Sequence, residues 1–321
     1  MTDFLVADIG GTNARFALAN VANSSCEQPV LSNQKIYKCA EFDGVTSVME
    51  TYRDFIGAAL PEQACIAIAG PIEGDYMHMT NLDWSVSGEE MRRHFGFKRF
   101  KLINDFAAVA YSLVAAGEGS LQMIKDGVAV PNSPRAVVGP GSGLGVAALI
   151  PINEKWHPLA SESGHAAITS GTDLEAEIID MIKKRHPRVS AERLLAGNGI
   201  IRIHRVLGVI NDTSAEKLTC EEITDRALKG DDALCSQAID VFCGFLAGFT
   251  RDVAFFYGAS GGITFAGNIM RHIAPLLIRN DFQSRFMLRG VMDEFVAKIP
   301  VTLMKIEEPG LLGAAAWAAR K

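Results

Sequence analysis

Five short stretches of this 321-residue chain carry side chains whose types and spacing suit chemistry. Asp8-Ile9-Gly10-Gly11-Thr12-Asn13 sets a carboxylate at the end of an apolar run, then two residues without a Cβ, then a hydroxyl and an amide. Backbone N–H groups in such a turn can converge on an anion. An aspartate there can hold a magnesium ion, directly or through water, because hard cations prefer carboxylate oxygen. A plain hairpin turn would use the same glycines for positive φ. Gly139 to Gly145 (GPGSGLG) repeats the theme with four glycines in seven residues. That density destabilises a chain unless a special backbone path or a close ligand needs it. Neither a Gly-x-x-x-x-Gly-Lys-Ser/Thr loop nor a Gly-x-Gly-x-x-Gly fingerprint occurs, so any nucleotide is held another way.

The other three stretches are Asn104-Asp105, Ser161-Glu162-Ser163-Gly164-His165 and Ser190-Ala191-Glu192-Arg193. Each has a structural alternative. Asn104 or Asp105 can cap the helix-like run that follows, and Ser190 the helix bearing Glu192. His165 can be a satisfied core histidine. Glu192 and Arg193 can be an exposed pair worth under ~1 kcal/mol.

These residues need elements to hold them. Apolar runs Phe4 to Asp8 and Ala14 to Ala19 flank the first glycine turn as a β-hairpin, with a third strand near Lys35 to Cys39. A helix around Thr46 to Leu60, a strand Ala64 to Ala69, a helix around Ser87 to Phe95 and a strand Arg99 to Ile103 follow. A hairpin combined with crossover units predicts a mixed sheet with helices on its faces. Residues 135 to 150 repeat the first hairpin at a shift of 131, matching Gly10 with Gly141 and Leu18 with Leu149, which suggests two domains, each with one phosphate-facing hairpin. Residues 172 to 258 read as mainly helical. Ala238, Ile239, Phe242, Phe245, Leu246, Phe249, Val253 and Phe256 mark one long helix with a core-facing stripe. Short strands at Ile263 to Ala266 and Val301 to Lys305 and a helix Leu311 to Arg320 complete the chain.

The composition, 48% hydrophobic and 21% charged, is that of a soluble globular protein too long for one ordinary core. A net charge of -6 argues against nucleic-acid binding, and no uninterrupted apolar run of membrane length occurs. The amino terminus lacks a basic segment, so a cytoplasmic location is expected. Cys26, Cys39, Cys65, Cys220, Cys235 and Cys243 form no Cys-x-x-Cys pair and read as reduced, packed thiols.

Taken in chain order, ADIGGTNAR (Ala7 to Arg15), LINDF (Leu102 to Phe106), GPGSGLGVA (Gly139 to Ala147), SESGH (Ser161 to His165), SAERLLAG (Ser190 to Gly197), AGNI (Ala266 to Ile269) and PGLLGA (Pro309 to Ala314) resemble the bacterial glucokinases of the hexokinase, heat-shock ATPase and actin superfamily. The first motif is shared across the superfamily; INDF with E-x-G-H and SAER is specific to the glucokinase branch.

The resemblance implies an actin-like ATPase (ribonuclease H-like) α/β fold: two domains with mixed sheets flanked by helices, and a cleft between them. A small domain would comprise residues 1–110 and 301–321, taking back the last strand and helix, and a larger one 111–300. It implies phosphorylation of D-glucose at the 6-hydroxyl by ATP. Asn104, Asp105, Glu162, His165 and Glu192 would hold the sugar, and Asp105 would accept the proton. ATP would lie against Asp8, Ile9, Gly10, Gly11, Thr12 and Asn13 and against Gly141, Ser142 and Gly143, with its adenosine near Gly267 and Asn268. Magnesium would sit at Asp8 through water. A homodimer without a tightly bound organic cofactor is implied. Ser161 and Ser163 stand where the family often has glycine, as does Asn268. A related repressor and sugar-kinase family pairs a similar histidine with zinc-binding cysteines; that cluster is missing here, so no zinc is expected. The rivals are a kinase for fructose, mannose or an N-acetylhexosamine, a chaperone-like ATPase, and a sugar-sensing regulator. The regulator would need a DNA-binding helix-turn-helix, for which a first strand beginning by Phe4 leaves no room.

Overall fold

A computed structural model describes residues 2–21, 28–79, 82–279, 282–287 and 290–320. The chain divides into two compact units, Met1–Ser120 with Trp156–Ala160 and Ile306–Lys321, and Leu121–Lys155 with Ser161–Lys305. The first unit holds β1 (Thr2–Ile9), β2 (Asn13–Val21), β3 (Val30–Lys38), α1 (Val45–Ile56), β4 (Gln63–Ile68), β5 (Ile72–Glu73), β6 (Tyr76–Met79), β7 (Trp84–Ser87), α2 (Gly88–Phe95), β8 (Arg99–Asn104) and α3 (Asp105–Tyr111). The chain continues through β9 (Leu121–Lys125), β10 (Arg135–Pro140), β11 (Leu144–Ile152), β12 (Lys155–Ser161), α4 (Asp173–Lys183), α5 (Ala191–Leu195), α6 (Gly197–Ile210), α7 (Cys220–Lys229) and α8 (Ala233–Tyr257). It ends with β13 (Ile263–Phe265), α9 (Asn268–Arg279), α10 (Phe282–Phe286), α11 (Asp293–Lys298), β14 (Val301–Met304) and α12 (Pro309–Ala319).

The first unit's main sheet runs β3-β2-β1-β4-β8, antiparallel through the hairpin and parallel from β1 to β8. Alternation along β1 separates two cores. Leu5, Ala7 and Ile9 join Val48, Met49 and Tyr52 of α1 on one face; Phe4 and Val6 join α3 and α12 on the other. Asp8, in step with Phe4 and Val6, therefore falls on the α3/α12 face. α12 reaches that face closely because it is built from small residues: a Cβ at Gly313 would lie 1.8 Å from the Ala108 carbonyl oxygen of α3.

The second unit contributes β11, β10, β13, β14 and β9, in that order, to a six-stranded mixed sheet. β1 ends at Ile9 and β10 at Pro140, while β2 starts at Asn13 and β11 at Leu144, so both hairpins turn at the same 131-residue shift. α8 is long and apolar enough to cross a membrane, but its apolar residues fill this unit's core. The stripe from Ala238 to Val253 is buried, whereas Phe256, expected on it, is 64% exposed. The helix ends one residue later, and Gly258 turns the chain away at φ 57°.

The expectation that the last strand returns to the small domain does not hold. β14 pairs in parallel with β13 and antiparallel with β9, burying Val301 and Leu303 in the core that holds Ile263 and Phe265, and the Thr264 and Thr302 hydroxyls meet at 3.0 Å. Only α12 returns. Cys39, Cys65, Cys235 and Cys243 are buried and Cys220 is half-buried, all as free thiols; Cys26 lies outside the described residues.

Candidate active site

In the first unit the glycine turn is fixed by its own backbone and by β3. Gly10 N–H donates to Asn13 O at 3.0 Å, Cys39 N–H to Thr12 O at 3.0 Å, and Lys38 Nζ to Asn13 Oδ1 at 2.9 Å. The sequence argument that these glycines serve positive φ does not hold for Gly10 and Gly11, nor for Gly141 and Gly143 in the second hairpin. What glycine provides is room: a Cβ on Gly10 or Gly141 would find no atom nearer than a carbonyl oxygen, at 3.9 and 4.0 Å. Those positions are open to a ligand's close approach.

Asp8 is 19% exposed, and its carboxyl is raised to about 7. Burial is the main cause; Asp105 and Glu308 raise it further, and Arg15 opposes them. The Arg15 guanidinium bridges Asp8 Oδ2 at 3.8 Å and Glu308 Oε2 at 3.3 Å. Gly310, in the first turn of α12, lies so close that a Cβ would stand 2.5 Å from Asp8 Oδ2. Three carboxylates against one guanidinium make an oxygen-donor environment that a hard dication would relieve. Among the described residues no group of three His, Cys, Asp or Glu is arranged to hold a metal by itself.

Asn104 and Asp105 divide the two tasks that the sequence left open. Asn104 is the cap of α3: its Oδ1 accepts from Ala107 N–H at 2.9 Å and its Nδ2 donates to Gly70 O at 3.2 Å. Asp105 is the first helical residue, with Oδ1 accepting from Phe106 N–H at 2.7 Å. Its carboxylate is thus fixed at a strand end.

In the second unit the structure brings Glu162, His165 and Glu192 together. His165 Nε2 lies 3.8 Å from Glu162 Oε2, and His165 Nδ1 lies 3.9 Å from Glu192 Oε1. Glu162 and His165 are exposed, and Glu192 half-buried. Ser190 occupies the cap of α5 but makes no side-chain capping bond. The serines that replace glycine around Glu162 hold the loop: Ser161 Oγ meets Ser163 Oγ and accepts from Ser163 N–H at 2.9 Å, while Ser163 Oγ meets Tyr257 Oη at 2.9 Å. Tyr257 was not a sequence candidate, since it ends a helix almost a hundred residues downstream.

The second hairpin is bound to the same loops. Gly141 N–H donates to Gly143 O at 2.8 Å, and Gly197 N–H to Gly141 O at 2.9 Å. At the expected adenosine turn the left-handed residue is Gly267, at φ 97°, where a Cβ would lie 2.7 Å from Pro140 O. Asn268 instead opens α9, so its departure from glycine costs nothing in backbone strain. Next to it is a cavity of about 310 Å³ lined by Cys220, Glu221, Thr224, Asp225, Asn268, Ile269 and His272. Asn268 and Ile269 belong to the AGNI motif; the other lining residues carry no motif and were not sequence candidates for the site.

The glucokinase family profile matches residues 5–321. The glucokinase of Saccharophagus degradans is 38% identical over 317 residues, covering 99% of this chain and 98% of that one. The glucokinase of Neisseria meningitidis is 36% identical, covering 97% and 93%. The crystal structure of a glucokinase from an Antarctic psychrotroph superposes with a TM-score of 0.89 at 34% identity, covering 99% of each chain. The actin-like ATPase fold expected from the motifs is therefore the fold of this protein. With the match running through both hairpins and every loop described above, the chain belongs to the glucokinase family.

Proposed function

We propose that this protein transfers the γ-phosphoryl group of ATP to the 6-hydroxyl of D-glucose, giving glucose 6-phosphate and ADP. The observation that carries the reading is that Asp105 opens α3, the helix packed on the face that holds Asp8, where its charge helps to raise the Asp8 carboxyl. A proton acceptor and a cation-binding carboxylate are what phosphoryl transfer to an alcohol requires.

Glucose is read by Asn104, Asp105, Glu162, His165 and Glu192, whose amide, carboxylate and imidazole groups match hydroxyls that both donate and accept. The triphosphate lies along the backbone of Asp8 to Asn13 and Gly141 to Gly143, with adenosine toward Gly267, Asn268 and the cavity beside them. Asp8 would hold a magnesium ion through water, and the ion would supply charge neutralisation for the phosphoryl group. Asp105 accepts the 6-hydroxyl proton late. Its ordinary pKa lies about 12 units below that of water, so full deprotonation beforehand would cost roughly 16 kcal/mol. A loose transition state permits late transfer, and in-line positioning supplies most of the acceleration. The protein acts in the cytoplasm as a homodimer, which light scattering after size-exclusion chromatography would test.

The decisive assay is coupled ADP release with and without sugar. Glucose should stimulate turnover strongly, with fructose, mannose and N-acetylglucosamine as weaker substrates; turnover indifferent to every hexose would sink the kinase reading.

A further inference from the structure

We infer that Glu192 serves both substrates: one carboxylate oxygen fixes the phosphate-facing hairpin while the other reads the sugar, so that glucose and nucleotide bind with positive coupling through this side chain. The inference rests on the glucokinase reading for the identity of the two ligands. Glu192 Oε2 accepts the backbone N–H of Leu144 at 3.0 Å, at the first residue of β11. A Cβ on the preceding Gly143 would lie 2.6 Å from the same oxygen, so the hairpin is in contact with this carboxylate and a side chain at 143 would displace it. Glu192 Oε1 faces His165 at 3.9 Å, beyond hydrogen-bond range, on the side where Glu162 also stands.

A carboxylate has acceptor sites for both tasks. The surrounding backbone makes them interdependent. Gly164 of the sugar loop packs on the hairpin, with a Cβ there placed 2.2 Å from Leu144 O, and Ala191 N–H donates to Ala166 O at 2.8 Å, tying α5 to the sugar loop. Gly197, just past α5, donates to Gly141 O at 2.9 Å. A sugar hydroxyl on Oε1 removes rotamer freedom from Glu192, so holding Leu144 N–H, and with it the turn at Gly141 to Gly143, costs less once sugar is bound. The coupling is reciprocal by linkage, so a change in the hairpin must be felt by the sugar.

The test is calorimetric titration of the intact protein with a magnesium complex of a non-hydrolysable ATP analogue, with and without saturating glucose, and with glucose alone. In the parent protein glucose should tighten analogue binding about five- to tenfold. Glu192→Ala should weaken analogue binding without sugar about five- to tenfold and abolish the enhancement. Glu192→Gln retains an acceptor for Leu144 N–H and should restore analogue affinity without sugar to within about twofold, while its glucose turnover stays low. Gly143→Ala, a change in the hairpin, should weaken binding of glucose alone by pushing on Glu192. The inference is overturned if Glu192→Ala binds the analogue without sugar as the parent does, or if Gly143→Ala binds glucose unchanged. Should Glu192→Ala fail to fold, Glu192→Gln and Gly143→Ala decide between the same outcomes. Failure of the kinase reading would show separately, as a parent protein whose ATP turnover ignores glucose.

Discussion

Replacing Asp8 by asparagine should stabilise the first unit while disabling the enzyme, and the stabilisation should grow with pH. The folded state raises the Asp8 carboxyl from 3.8 to about 7, first through burial and then through Asp105 and Glu308. A raised acid favours folding in its protonated form. That stabilisation is complete below pH 3.8 and lost as pH rises to about 7, because the unfolded chain gives up this proton first. A shift of roughly 3 units corresponds to at most ~4 kcal/mol, spread at roughly 1.4 kcal/mol per pH unit. Asparagine has the shape of the protonated acid and does not titrate. The stability difference between Asp8→Asn and the parent should therefore widen from about pH 4 to about pH 7 and then level off. Trp84 and Trp317 belong to the first unit, and their fluorescence reports its unfolding. Urea titrations at pH 5, 6, 7 and 8 without magnesium measure the difference. A difference that is flat in pH, or that shrinks as pH rises, would refute the account of Asp8 as a carboxylate held at a cost for a cation. Turnover of the same variant should fall about a hundredfold or more, since charge stabilisation of the transition state is lost.

Asp105→Asn should keep the parent's urea midpoint to within the equivalent of ~0.5 kcal/mol, because Asn104 and not Asp105 caps α3, yet lose about 10²- to 10⁴-fold in kcat; near-normal kcat would remove the proton-acceptor role. Gly310→Ala places a methyl group 2.5 Å from Asp8 Oδ2 and should raise the magnesium concentration needed for half-maximal turnover, measured by metal titration at fixed ATP. Tyr257→Phe deletes the hydroxyl that meets Ser163 and should raise the KM for glucose a few-fold, at a stability cost of about 1 kcal/mol, while the KM for ATP stays put; steady-state kinetics on both substrates checks this.

The elements that proved readable are those with a strong period or a repeated motif. β1, β2, β4, β8 and the long α8 all carry apolar patterns, and the two hairpins announced each other by their glycine spacing. What escaped notice has a common cause. β3 is mostly exposed and runs farther back than the strand expected near Lys35, and β9 and the strands of the small β5-β6-β7 sheet are too short, at two to five residues, for their alternation to stand out. Parallel pairing hid the true home of β14, since nothing local in Val301 to Met304 says which sheet it joins. At the site the residues that carry chemistry were legible as types, but their supports were not. Tyr257, Gly310 and Glu308 act across long sequence separations, and the Glu192 contact with Leu144 joins two stretches about fifty residues apart.

The two hairpins share a register but not a charge, and the difference bears on how each can face a triphosphate. At the shift that aligns Ile9 with Pro140, Asp8 aligns with Gly139, a buried residue with no side chain. A second carboxylate there would face phosphate without a counter-ion and would be buried beside backbone groups engaged in the β10–β11 ladder. The first hairpin can bear its acid because Arg15 stands beside it and a dication can join it. The second offers N–H groups and the Ser142 hydroxyl, and its acidic contact comes instead from Glu192, which spends one oxygen on the Leu144 N–H. Introducing the missing acid makes the asymmetry testable. Gly139→Asp should abolish nucleotide binding and lower second-unit stability by several kcal/mol, of order 3 to 5 for an uncompensated buried charge. Nucleotide binding by a folded Gly139→Asp protein would show that the two hairpins are interchangeable supports, and that the sign of the side chain at the strand end does not matter.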